Sequence, residues 1–161
     1  MDLKEAMKER HSVRQYEDRP LEKNIIDELE SEIAACNKAS GLNIQLVKDE
    51  PKAFDSFMAH YGKFSGVRNY IAMIGKKGPY LEEKCGYFGE RLVLKAQQLG
   101  LNTCWAAMTY SKVKTAFTIN SGEKLCIVIS LGYGKTNGVP HKSKPVEAVT
   151  KADRPLPDWF R

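Results

Sequence analysis

The chain has 161 residues, 42% of them apolar and 28% charged, with a formal net charge of +5. This suits one core burying about 70% of the unfolded surface, and the proportions exclude disordered, collagen-like and coiled-coil chains. Lysines are spread along the chain with acids between them, and no zinc finger, RNP motif or helix-turn-helix is found, so nucleic acid ranks last among partners. At the N-terminus, MDLKEAMKERHSV is charged throughout and has no apolar leader, while IAMIG and LCIVISLG are far too short to span a bilayer. A cytoplasmic protein without a membrane partner is expected. Asp2 can cap a first helix carrying Leu3, Ala6 and Met7 that ends near Arg10. Pro20 is expected to open a second, with Ile25, Ile26, Leu29 and Ile33 at three- and four-residue steps.

LNIQLV (42–47) reads as a strand, PKAFDSFMAHYG (51–62) as a helix begun by proline, and NYIAMIG (69–75) as a buried strand closed by glycine. A long helix over 81–99 repeats Cys85, Phe88, Leu92, Ala96 and Leu99 on one face, and Gly100 stops it. Gly86 and Gly89 cost helix stability. Close approach by a ligand, a partner element or neighbouring core side chains would offset that cost. LNTCWAAM (101–108) and KLCIVISLGYG (124–134) supply two more strands, with a short helix expected around Lys112 to Phe117. KTNGVPHKSKPVEAV is turn-rich and basic, and ADRPLPDWFR stops at what reads as the start of a helix. The four cysteines, Cys36, Cys85, Cys104 and Cys126, form no C-x-x-C pair and lie in apolar contexts, which points to reduced core thiols. With only His11, His60 and His141, no metal site is expected.

Residues 10–16, RHSVRQY, place Arg10, Ser12 and Arg14 at alternate positions. If this stretch is extended, two guanidiniums and a hydroxyl line one wall suited to an anion; if it is helical, they scatter into solvent. The first helix ends just before it, which favours the wall. HKSKP repeats the pattern, with Lys142 and Lys144 flanking Ser143. Brought together, the two clusters could hold a dianionic phosphate by charge-assisted hydrogen bonds.

The order KERHSVRQY, GLNTCWAAM after a long helix, LGYG at a strand end and HKSKPV resembles the FMN-dependent nitroreductase family over nearly the whole chain. It looks most like the branch in which one chain carries two related halves. The resemblance implies an α+β fold, a three-layer α/β/α sandwich around a mostly antiparallel sheet, with residues 1–161 as a single flavin-binding domain. It implies FMN as cofactor. Arg10 and Ser12 would contact the phosphate and ribityl chain, His11 would act mainly through its backbone, and Arg14 would sit by the pyrimidine edge. Lys142 and Lys144 would close on the phosphate. Ala106, Ala107 and Met108 would pass over the isoalloxazine, and Trp105 reads as core. Tyr61 and Lys63, in YGKFSGVRNY, stand where the family offers a group to the pyrimidine, although Lys63 equally suits solvent.

The implied activity is NAD(P)H-dependent reduction of nitroaromatics, quinones or similar small electrophiles. Hydride passes through flavin N5, so no protein residue is a catalytic group and no metal is needed. No G-x-G-x-x-G is present, so the nicotinamide would bind transiently above the flavin. A flavin-binding module without its own turnover is the alternative of a different class. The family's segment reaching across to a second flavin is only echoed in ASGLNIQ (39–45). The chain is therefore expected either to form a homodimer, with Ser40, Asn43 and Gln45 over the partner's ring, or to be completed by a further C-terminal segment.

Overall fold

A computed structural model describes residues 1–140, 142–155 and 157 of the chain. Helix α1 (Leu3–Glu9) begins with a capping box. The Asp2 carboxylate accepts from the Glu5 amide and the Glu5 carboxylate from the Asp2 amide, each at 2.9 Å. Arg10 leaves the helix with extended torsions, φ −71° and ψ 122°. Helix α2 (Lys23–Ser40) starts past Pro20, because Leu21 is first drawn into the core. Its stripe of Ile25, Leu29, Ile33 and Cys36 is buried, and Gly41 closes it in the left-handed region at φ +71°.

Strand β1 (Gln45–Val47) is shorter than LNIQLV suggests. The Asn37 carboxamide meets both the amide and the carbonyl of Ile44, at 2.8 and 2.9 Å, in place of a neighbouring strand. The single helix expected over 51–62 is two pieces. A 3-10 turn, Pro51–Phe54, is capped by Glu50, and helix α3 (Phe57–Tyr61) is capped by the Ser56 hydroxyl on the Ala59 amide. Asp55 and Ser56 divide them, since a serine that satisfies the amide of a new turn cannot also continue the old one.

Strand β2 (Asn69–Lys76), helix α4 (Leu81–Gln98), strand β3 (Asn102–Ala106) and strand β4 (Glu123–Gly132) follow. The sheet order is β1-β2-β4-β3, and every ladder is antiparallel. The helix expected around Lys112 to Phe117 is instead a single turn, Ala116 N to Val113 O at 3.1 Å. Helix α5 (Val146–Val149) is an unforeseen short turn in the basic tail. The helix start expected at Trp159, Phe160 and Arg161 lies outside the described residues, as does His141.

The sheet separates two cores. Along β2, Ile71 and Met73 face α2 and α4 with Leu29, Leu92, Ile129 and Leu131, while Tyr70, Ala72 and Ile74 face Phe54, Phe64 and Val128 under the 3-10 turn and α3. Both faces being covered explains why β2 reads as a continuous apolar run. The α+β class and the antiparallel sheet between helical layers are as the sequence suggests. Cys36, Cys85 and Cys104 are buried thiols and Cys126 is half-buried. Burial, followed by the neighbouring Cys126, pushes the Cys85 thiol up to about 12, as suits a core residue. Among the described residues no helix is long and apolar enough to cross a membrane, and no cluster of three or more His, Cys, Asp or Glu could hold a metal.

The two helix glycines differ. A Cβ at Gly89 would lie 2.3 Å from the Trp105 ring, so this glycine makes room for a side chain of its own chain; at Gly86 it would meet nothing within 4 Å. Gly89→Ala should therefore destabilise the protein by about 1–3 kcal/mol through overpacking. Gly86→Ala should stabilise it by about 0.5–1 kcal/mol through helix propensity. Chemical denaturation of the two variants beside the parent checks the opposite signs.

Candidate functional site

The stretch after α1 is extended, as the wall requires. Ser12 bridges in parallel to Thr103 of β3, with Val13 N on Thr103 O at 3.0 Å. Gln15 bridges to Ser65, which donates to Arg14 O at 3.0 Å and accepts from Tyr16 N at 2.9 Å. Tyr16 bridges to Gly134, flanked by bonds from Glu17 N to Tyr133 O and from Lys135 N to Gln15 O. Residues 12–16 are thus clamped from three directions.

The inward side chains do the anchoring. Val13 and Tyr16 are buried, whereas Ser12 and Arg14 are exposed. Strict alternation would put Tyr16 beside Arg14, but Gln15 is exposed as well and the Tyr16 ring lies inside. Its hydroxyl donates to Val13 O at 2.6 Å and lies 2.7 Å from Ser130 Oγ, which itself reaches Cys104 O at 3.2 Å. Burial drives this phenol far above its ordinary value, so it stays protonated. Gly132 lies under the ring, where a Cβ would come within 3.0 Å of Cδ1. At Gly66 a Cβ would sit 2.4 Å from the Tyr16 carbonyl.

The cations on this stretch differ in what holds them. Arg10 is half-buried and turned toward α4, with Nε 3.4 Å from Glu90 Oε1; the other Glu90 oxygen accepts from Trp105 Nε1 at 3.2 Å. Arg14 has no carboxylate within 4 Å among the described residues, and Asp18, four residues on in sequence, pairs with Arg68 at 2.6 Å. Both guanidiniums and the Ser12 hydroxyl act on the Cys104 thiol. Burial raises that thiol above its ordinary value, and Arg14, Ser12 and Arg10 pull in the opposite direction.

The tail runs back along this stretch. Gly138 is pressed against residues 11–13, and a Cβ there would fall 2.7 Å from the half-buried His11 Cβ and 3.3 Å from Ser12 O. Lys142 follows four residues later, a span of at most about 14 Å. Lys142 and Lys144 are exposed. On the other side, Ala106 ends β3 buried, while Ala107 and Met108 are exposed, Met108 at 79%. Gly62 packs on Thr109, where a Cβ would lie 2.8 Å from Cγ2. Tyr61 and the left-handed Lys63 (φ +64°) therefore share a rim with Ala107 and Met108. Lys63 is also two residues from Ser65, the partner of Arg14.

Ser40, Asn43 and Gln45 do not fit the expectation that they reach outward. Ser40 Oγ bonds Cys36 O and Leu42 N; Asn43 Nδ2 donates to Glu123 Oε2 at 2.9 Å; and Gln45 exchanges two bonds with the Thr118 backbone at 2.7 and 2.9 Å. Their polar groups are used at home. Two residues that shape the site escape the sequence reading. Tyr16 lies within the quoted stretch without being singled out there, and Glu90 gives no signal until β3 is laid beside α4.

Over residues 2–161 the sequence matches the family model described as "Putative TM nitroreductase". Among solved structures, the chain is similar to a "Putative NADH dehydrogenase/NAD(P)H nitroreductase" from Parabacteroides distasonis, at 25% identity over 92% of this chain and 96% of that one, TM-score 0.69. It also resembles an FMN-dependent nitroreductase from Clostridium difficile R20291, at 19% identity over 89% and 92%, TM-score 0.62. A third likeness is to a "putative nitroreductase in complex with FMN" from Desulfovibrio desulfuricans, at 15% identity over 98% and 99%, TM-score 0.66. No curated protein matches the sequence. With a family model matched across its length and the fold of those structures, the chain belongs to the nitroreductase family.

Proposed function

We propose that residues 1–161 form one flavin-binding domain, a cytoplasmic FMN-dependent NAD(P)H oxidoreductase that reduces nitroaromatic, quinone or similar electrophilic acceptors. The observation that carries this reading is the clamped, extended stretch at residues 12–16. It presents Ser12 and an Arg14 that no carboxylate approaches within 4 Å among the described residues, beside a tail that bears two further cations. Such a donor set fits a phosphate and an electron-rich ring edge. The FMN-bound and FMN-dependent relatives support the choice of cofactor.

In this reading Ser12, Arg10, Lys142 and Lys144 hold the phosphate, with His11 contributing its backbone. The Nε edge of Arg10 stays on Glu90, which aims the remaining guanidinium nitrogens. Tyr61 and Lys63 face the pyrimidine from the rim. Ala106 and Ala107 are small enough to let a planar ligand approach the backbone, and Met108 and Tyr61 add apolar surface that excludes water. FMN bound there would take hydride from a nicotinamide and pass electrons to the acceptor. Arg14 is placed to stabilise negative charge that appears on the ring edge during reduction.

The protein as purified should be yellow, release FMN on denaturation, and bleach on addition of NAD(P)H. Release of FAD, or no flavin after reconstitution, would sink the reading, and flavin without bleaching would favour a binding module. Lys142→Ala with Lys144→Ala should weaken FMN roughly ten- to hundredfold, as expected for loss of charge-assisted bonds at an exposed site. A fluorescence titration showing unchanged affinity would reduce the basic tail to solvated surface.

Arg14→Ala separates binding from tuning. Its midpoint potential should fall by about 30 mV or more for the two-electron couple, with FMN affinity changed less. An unshifted potential in a folded, FMN-loaded variant would refute the role.

Exposed apolar side chains, Tyr61 and Met108 at the rim and Leu3, Met7 and Tyr87 along α1 and α4, support a homodimer. Sedimentation at falling concentration, with activity measured alongside, should show turnover lost as the dimer dissociates. A fully active monomer would rule this out.

A further inference from the structure

An irregular stretch, residues 107–122, joins β3 to β4, and it is braced more heavily than a simple connection needs. Ser111 N donates to Ala53 O at 2.6 Å. Thr118 is held by both ends of the Gln45 carboxamide, at 2.7 and 2.9 Å, and by Asn43 Nδ2 at 3.2 Å. Phe117 is buried, and Val113, Ala116 and Ile119 pack against the second core. With those side chains turned in, Lys112 and Lys114 project from either side of Val113. Neither has a carboxylate within 4 Å among the described residues.

Together with Phe117 and Ile119 these lysines line a cavity of about 250 Å³. That is below the usual range for a site enclosing a whole cofactor, and suits one ring with one anionic group. Two ammonium groups over an apolar floor match an aromatic nucleoside bearing a phosphate monoester. The stretch also carries Met108, on the rim assigned to the flavin above, and Lys112 is four residues away, at most about 14 Å. A ligand with one end over that rim can place its other end here.

We infer that this cavity binds the adenosine 2′-phosphate end of NADPH, making NADPH the preferred donor over NADH; the inference rests on reading the chain as a NAD(P)H oxidoreductase. The adenine lies on the half-buried Ile119 and the exposed edge of Phe117, and the 2′-phosphate lies between Lys112 and Lys114. The nicotinamide end reaches the rim at Ala107 and Met108.

Steady-state kinetics with both donors test this on the FMN-loaded protein. Wild type should favour NADPH in kcat/KM by about tenfold or more, and Lys112→Ala with Lys114→Ala should bring the ratio near one by raising KM for NADPH, with FMN content unchanged. Lys112→Arg with Lys114→Arg should keep the preference. A ratio that does not move, or a wild type favouring NADH, would overturn the inference. Calorimetric titration with adenosine 2′,5′-bisphosphate gives a readout that needs no flavin, and the double alanine variant should bind it about tenfold more weakly or worse. Binding without flavin turnover would fail the oxidoreductase reading and keep the cavity's assignment. Turnover without bisphosphate binding would fail the cavity alone.

Discussion

Tyr16 carries its hydroxyl into the sheet, to 2.6 Å from the Val13 carbonyl and 2.7 Å from the Ser130 hydroxyl. Its amide, meanwhile, donates to Ser65 and its neighbours pair with residues 133–135. One residue therefore joins the stretch after α1 to β4, to the loop before β2 and to the chain's last third. Three glycines make room for this arrangement. Gly132 clears the ring, Gly66 clears the carbonyl, and Gly134 accepts the bridge. A buried phenol satisfied on both sides is costly to displace, because its partners would be left unpaired in a low-dielectric interior. That cost holds Ser12 and Arg14 in place without any ligand.

Charge is distributed with similar economy. Acids near the wall are assigned elsewhere: Asp18 pairs with Arg68, and Glu90 is shared between Arg10 and the Trp105 indole. Arg10 is thereby oriented while keeping other donors, and Arg14 has no carboxylate within 4 Å among the described residues. The β3–α4 contact enters here too. Gly89 lets Trp105 lie close enough for its indole to reach Glu90, so a missing Cβ on one helix helps to aim a guanidinium beyond the far edge of the sheet.

Elements with strong local signals could be read from the sequence. Asp2 caps α1 as its position predicts, α2 and α4 show their stripes, and β2 shows its apolar run. The extended run was legible through the alternation of Arg10, Ser12 and Arg14, which holds for the exposed Ser12 and Arg14 but not beyond, since Gln15 is exposed and Tyr16 buried. Segment 51–62 misleads because proline suits the first turn of a 3-10 helix as well as an α-helix, and Ser56 then starts again. Lys112 to Phe117 has helical spacing at Val113, Ala116 and Phe117, yet Thr118 is held by Gln45 from 73 residues away, which no local pattern encodes. Asn43 and Gln45 look like free recognition groups for the same reason. The partners that occupy them are distant in sequence.

The Tyr16–Ser130 bond spans 114 residues. On the ribosome the wall is made well before β4, which supplies the Ser130 hydroxyl that holds it. Contacts so far apart close late, after the entropy of a long loop has been met by helices α2 and α4 and by the central strand pair. A nascent or truncated chain ending before β4 could collapse around its apolar residues and still have no place for an anion. Occupancy of the wall is therefore a test of completed folding, and whatever binds there adds its binding energy only to chains that have passed it.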